Sequence, residues 1–133
     1  MYSSNGINWT QTSAADKLYN NGAFWTAMIW SPEYSQFISV ANGSAYGVGQ
    51  DPLFMTSSNG TSWGDPTNSY KTYNSICWAP EIGVAVCMAN DSNSITTISN
   101  VSGYVSRSSA SIASLNWTAC AWSPSLGILG GNV

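Results

Sequence analysis

Trp30-Ser31-Pro32-Glu33 recurs as Trp78-Ala79-Pro80-Glu81 and again as Trp122-Ser123-Pro124-Ser125, at spacings of 48 and 44 residues. Each copy closes an apolar run: residues 24–29 before the first, 75–77 before the second and 115–121 before the third. Self-similarity at a period in the forties marks a repeat architecture, in which each unit buries its apolar surface only by stacking on the next. A second set of copies runs out of phase with the first. Ser3-Ser4-Asn5-Gly6-Ile7-Asn8-Trp9-Thr10 is matched by Ser57-Ser58-Asn59-Gly60-Thr61-Ser62-Trp63-Gly64, while Ser106-Arg107-Ser108-Ser109 keeps only the serines.

Between these markers the pattern is that of strands. Residues 24–30 are apolar at both alternating positions, as in a strand covered on both faces, and Gly22 and Pro32 leave too little room for a helix. Proline then ends pairing at each Trp-x-Pro corner and turns the chain. Residues 36–41, 83–89 and 126–130 follow as second strands, and 53–57 and 104–108 as third strands. Residues 8–12 and 62–64 begin fourth, outer strands. Asn5-Gly6, Asn21-Gly22, Asn42-Gly43 and Asn59-Gly60 read as tight turns, since both residue types tolerate the positive φ of a type I′ hairpin. No window shows a helical stripe, so the expected class is all-β, in one domain spanning residues 1–133.

Four short strands per repeat is the content of a propeller blade. Trp-Ser-Pro-Glu closing a strand, then a strand leading to Ser-Ser-Asn-Gly-x-x-Trp-Thr, resembles the repeats of a β-propeller family with Asp-box-like turns (bacterial neutral repeats) from bacterial, phage and large-virus proteins. The resemblance spans nearly the whole chain. It implies about three four-stranded blades, with Trp30, Pro32, Glu33, Trp78, Pro80, Glu81, Trp122 and Pro124 as structural repeat positions. The Asp-box is Ser-x-Asp-x-Gly-x-Thr-Trp; here Asn replaces Asp and one residue fewer precedes Trp. The family motif is a structural turn away from any active site, and it implies structure alone.

Residues 125–133 supply about two strands of a third unit, and residues 1–6 begin where a third strand would finish. Head to tail, the two ends read as one split blade. Three blades are too few for a ring, which takes about four to eight, and an open array exposes an apolar face at each end. The expectation is a homodimer whose two copies close six blades, each split blade completed by the neighbour's N-terminal strand. A piece of a longer propeller is the alternative.

Composition narrows the function. The chain of 133 residues carries three basic and six acidic side chains against seven Trp, seven Tyr and three Phe. Three cations cannot neutralise a run of phosphates, which argues against nucleic acid. No apolar run reaches a membrane span, and the polar start, Met1-Tyr2-Ser3-Ser4-Asn5, lacks the apolar core of a signal peptide. With no His, neither a Ser/His/Asp unit nor the usual zinc ligands can be assembled. Arg107 is the sole arginine, too little for a carboxylate-gripping cluster. No cofactor, metal site or catalytic constellation is expected. Cys77, Cys87 and Cys120 read as small buried side chains, with a Cys77–Cys87 bridge as the alternative.

The expected function is a non-catalytic binding or interaction module for neutral glycans or a protein surface. A structural component of a virus, phage or cell-surface assembly is the alternative, and a carbohydrate-active enzyme using Glu33 or Glu81 a weaker one. Trp30, Trp78 and Trp122 are expected between adjacent units, where each indole buries about 150–250 Å²; a ring of sugar platforms is the other reading. Glu33 and Glu81 are expected to accept backbone N–H groups of their own turns. Trp9, Trp63, Tyr46 and Tyr70 are the candidate ligand-binding residues, on or near loops 12–21, 43–51, 65–72 and 90–100, with closing the blade edge as the other reading of Trp9 and Trp63, and the favoured one.

Overall fold

The computed structural model describes residues 1–12, 24–42, 51–64, 67–69, 72–89, 95–100, 104–108 and 115–133. These residues are all-β, with one 3-10 turn at Pro80–Ile82 and no α-helix among them. β1 (Phe24–Ser31), β2 (Gln36–Asn42), β3 (Asp51–Ser57) and β4 (Thr67–Ser69) pair in sequence order as one antiparallel sheet. β5 (Tyr73–Ala79), β6 (Val84–Ala89), β7 (Ile95–Asn100) and β8 (Tyr104–Ser108) repeat that order in a second sheet. β9 (Ala119–Ser123) and β10 (Ile128–Asn132) form a two-stranded third unit.

The Trp-x-Pro copies are the corners between the first and second strands. Proline leaves the ladder at Pro32, Pro80 and Pro124, all exposed, because it has no N–H to contribute. The chain reverses through a residue in the left-handed region five positions after each tryptophan: Ser35 (φ 49°), Gly83 (φ 64°) and Gly127 (φ 63°). Glycine meets that requirement without steric cost, whereas Ser35 holds it against its own Cβ. The Ser35 and Gly83 N–H groups donate to the carbonyls of Pro32 and Pro80 at 3.1 Å, and Gly127 N–H to Ser123 at 2.9 Å.

Pleating sends alternate side chains to opposite faces, and the sheets stack through those faces. Ile38, Val40 and Phe54 of the first sheet join Tyr73, Ile76, Ala85, Cys87, Ala89 and Ile98 of the second in one buried cluster. On the second sheet's other face Cys77, Val86 and Met88 form a smaller cluster against Trp117, Cys120 and Leu129 of the third unit. Each fully buried aliphatic side chain here stabilises by about 1.5–3 kcal/mol. The first strands of successive units lie side by side, β1 against β5 and β5 against β9.

One polar bond recurs at both junctions. β1 and β5 each carry a bulge four residues before the repeated tryptophan, at Thr26 and Asn74. Thr26 Oγ1 donates to the Tyr73 carbonyl at 2.8 Å, and Asn74 Nδ2 to the Trp117 carbonyl at 2.8 Å. Tyr73 and Trp117 hold the same position in their own units, five residues before the repeated tryptophan. The second unit thus packs on the first as the third packs on the second.

Several strand expectations change. Residues 104–108 are a fourth strand, because β7 precedes them inside the stretch expected as a binding loop, 90–100. The β-branched run Ile95-Thr96-Thr97-Ile98 suits a pleated surface. Ser106-Arg107-Ser108 accordingly lies in the β8 ladder and makes no turn. Residues 62–64 form no strand: the Ser62 carbonyl accepts Ser57 Oγ and Gly64 N–H donates to Thr56, which commits them to the preceding turn. Residues 8–12 contribute a single bridge, Tyr2 to Thr10. The expected strand 126–130 forms two residues later. Beyond its bulge β1 is covered on one face only, Met28 and Trp30, opposite Ser39 and Phe37, being exposed. Asn21-Gly22 and Gly43 lie outside the described residues.

Candidate functional site

Both ends of the stack carry exposed apolar surface. On the outer face of the first sheet Met28 and Trp30 are 52% and 43% exposed. The Trp30 ring lies 4.7 Å from that of Phe37, and Phe37 lies 6.4 Å from Trp63, a row of three aromatics on one side of the sheet. At the other end β9 and β10 line an open hollow of about 320 Å³ with Ala119, Cys120, Ala121, Gly130, Gly131 and Asn132. A bulky aromatic face thus lies at one end and a small-residue hollow at the other. A third space of about 190 Å³ lies at the second junction, among Met88, Ile95, Trp117, Leu129 and Gly131.

The serine turns share the bonds that shape them. In the first, Ser3 Oγ accepts the Gly6 N–H at 2.9 Å, and Asn5 Oδ1 accepts the N–H groups of Ile7 and Asn8 at 2.9 Å. In the second, Ser57 Oγ accepts Gly60 N–H at 2.9 Å, and Asn59 Oδ1 accepts Thr61 and Ser62 N–H at 2.9 and 2.8 Å. Gly6 and Gly60 have φ of 71° and 72°. The asparagines do not share the positive φ expected of a type I′ hairpin; their amide oxygens replace backbone acceptors instead, an Asx turn.

The tryptophans that follow part company. Trp63 is 8% exposed, over Phe37, with Nε1 donating to the Gly60 carbonyl at 3.2 Å, whereas Trp9 is 60% exposed. Of the four candidate ligand-binding residues, Trp9 therefore offers a surface and Trp63 does not, while Tyr46 and Tyr70 lie outside the described residues.

At the corners, Trp78 packs on the first cluster and Trp122 is half-buried, as expected between units. Trp30 is not, because no described residue covers that side. The Tyr34 ring meets Trp78 edge-on at 5.2 Å, and its hydroxyl donates to the Gly83 carbonyl at 2.8 Å. Glu81 departs from expectation: its carboxylate accepts the Trp122 indole N–H across the second junction. Glu33 is exposed. Glu81 is thus tied to a neighbouring unit, a role that no reading of a single corner predicts.

The three thiols are free. Cys77 and Cys87 sit in different clusters, on opposite faces of one sheet, so a bridge between them is geometrically excluded. Burial raises the Cys87 pKa. Across the second junction Cys77 and Cys120 share a hydrogen bond, which raises Cys77 and lowers Cys120 to about 7, with the Ser75 hydroxyl bond also lowering Cys120 against the effect of burial. Among the described residues no group of three or more His, Cys, Asp or Glu could hold a metal ion, and no helix is long and apolar enough to cross a membrane.

No protein-family model matches the sequence, and neither a curated protein nor a solved structure is detectably similar to it.

Proposed function

We propose that the chain is half of a β-propeller with Asp-box-like turns, closed to six blades by a second copy, and that the ring is a non-catalytic interaction module. The observation that carries this is the recurrence of one junction: the Thr26-to-Tyr73 bond reappears as Asn74-to-Trp117. Units joined by the same bond can be added by one repeated rotation, which would close a ring, and the aromatic face at one end would then meet the small-residue hollow at the other. In this reading each β-sheet is a blade, and β1, β5 and β9 are the inner strands. Solution mass tests it. Sedimentation equilibrium should return twice the 14.1 kDa of the chain; a monomer throughout would remove the ring.

The ligand surface belongs to the loops between strands, where binding groups sit on rigid scaffolds. A surface with few charges and many amides, hydroxyls and tyrosines suits neutral glycans or a protein face. Glycan-array binding lost in Tyr46→Ala or Tyr70→Ala would support it, and an array without signal would move the assignment to a protein partner. The two apolar ends favour a second reading, a structural part of a larger particle, in which mass would grow with concentration instead of stopping at the dimer.

A further inference from the structure

The outer edge of β10 has no partner among the described residues: β9 and β10 form a two-stranded sheet, while the equivalent strands β2 and β6 each carry a third strand. Register identifies what fits there. Trp122 pairs with Leu129 as Trp30 pairs with Phe37, which makes Leu129, Gly130 and Gly131 the counterparts of Phe37, Ile38 and Ser39. Those three pair with Ser57, Thr56 and Met55 of β3. Ser57 opens the second serine turn and Ser3 opens the first, with the same bonds. The counterparts of Ser57, Thr56 and Met55 are thus Ser3, Tyr2 and Met1. Even the bond behind the turn is shared, Gly64 N–H to Thr56 and Thr10 N–H to Tyr2, each at 2.9 Å.

Two further observations point to the same occupant. The pairing of Cys87 with Thr96 makes Thr96 the third-strand residue opposite the counterpart of Gly131. Thr96 is 2% exposed at the first junction, where the Tyr73 hydroxyl bonds its Oγ1 at 2.9 Å. At the second junction Trp117 stands in the place of Tyr73, and the residues beside it enclose the space of about 190 Å³. A third strand on β10 aims its residue opposite Gly131 at that space. The other observation is steric. A Cβ on Gly60 would stand 3.2 Å from the Phe37 ring, whereas one on Gly6 meets nothing within 4 Å. The first turn has the shape of the second without the side chain it was shaped against.

We infer that residues 1–10 of a second copy complete the third unit: Met1-Tyr2-Ser3 pairs antiparallel with β10, Ser3 opposite Leu129, Tyr2 opposite Gly130 and Met1 opposite Gly131. Strand addition to an open edge satisfies the free backbone groups there. Met1 fills the space beside Trp117, and Trp9 closes over Leu129 as Trp63 closes over Phe37. This rests on the ring reading and names the residues that lock it.

The test uses the full chain and a synthetic peptide of residues 1–10. The peptide in excess should convert the dimer into a single 14.1 kDa chain carrying one bound peptide, a scrambled peptide should not, and Trp9→Ala should weaken dimerisation about tenfold or more. Mixed Ser3→Cys and Leu129→Cys chains should form a covalent heterodimer on oxidation that neither variant forms alone. A dimer indifferent to the peptide and to Trp9→Ala, with no such cross-link, overturns the strand pairing and leaves the ring standing. A larger closed species with the cross-link keeps the pairing and overturns six blades. A monomer at every concentration removes both, and a cross-link within one doubly substituted monomer shows that the edge is filled in cis.

Discussion

The two serine turns are the same object in two settings. Residues 3–8 and 57–62 use the same side chains on the same N–H groups, at distances that agree within 0.1 Å, and both turn on a glycine near φ 70°. Yet the tryptophan after one is buried and that after the other stands in solvent. The turn is therefore local chemistry, complete without a neighbour, while the fate of its tryptophan depends on what lies beneath. Under Trp63 lies Phe37, brought there by β2; under Trp9 lies nothing described. Hydrogen bonds within six residues can be satisfied anywhere, but apolar burial needs a second surface.

The sharpest challenge to this contrast is truncation. Trp63→Ala should lower unfolding free energy by about 3–5 kcal/mol in urea titrations, while Trp9→Ala in chain dilute enough to be monomeric should cost about 0.5 kcal/mol or less. Equal losses would erase the distinction. Next in size is the turn serine. Ser57 is 4% exposed, accepts Gly60 N–H and donates to the Ser62 carbonyl, so Ser57→Ala should cost about 1–3 kcal/mol. Ser3→Ala, where water can reach the freed groups, should cost about a third of that, by thermal melts of the two variants side by side.

Burial by a neighbouring sheet also predicts a pH effect. Cys87, fully buried at the first junction, has its pKa raised by desolvation above the ordinary thiol value of 9.0. Above pH 9 the unfolded chain releases a proton that the folded chain keeps, so stability falls as pH rises, by up to about 1.4 kcal/mol per pH unit. Urea midpoints between pH 8 and 11 should show the fall, flattened in Cys87→Ala; an unchanged slope would mean that the thiol is not held neutral. The smallest effect compares equivalent corners. Ser35 occupies the left-handed position that Gly83 and Gly127 fill elsewhere, so Ser35→Gly should raise stability by up to about 1 kcal/mol, relief of strain outweighing added chain entropy. A loss would show that the Ser35 hydroxyl, 3.4 Å from the Pro32 carbonyl, outweighs the backbone strain.

Much of the architecture was legible in the residues. The Trp-x-Pro corners ended strands where proline must, and β2 and β6 fell within a residue of expectation. β7 was missed because its flanks are polar and its alternation is Thr against Ile, a weak signal until a second sheet buries Thr96 beside Tyr73. The Asn-Gly pairs misled for a different reason. They favour a type I′ hairpin only where asparagine's own backbone makes the turn, and here Ser3 and Ser57 draw the asparagine side chain inward. At the candidate site the two jobs read for Trp63, closing the sheet edge or offering a ligand surface, are separated only by Phe37 lying across from it. Glu81 was misread because sequence cannot show its partner, Trp122 standing 41 residues away.

What the sequence by itself determined is the unit: its period, its all-β class, its corners and its serine turns, because each follows from residues within hydrogen-bonding reach along the chain. What only the tertiary structure decided is which faces are covered. Trp30, Trp78 and Trp122 are the same letter in the repeat, yet one lies open, one packs under Tyr34 and one is tied to Glu81. Local bonds depend on spacing along one strand of chain, and spacing can be read; burial depends on the surface opposite, and that surface comes from another part of the molecule.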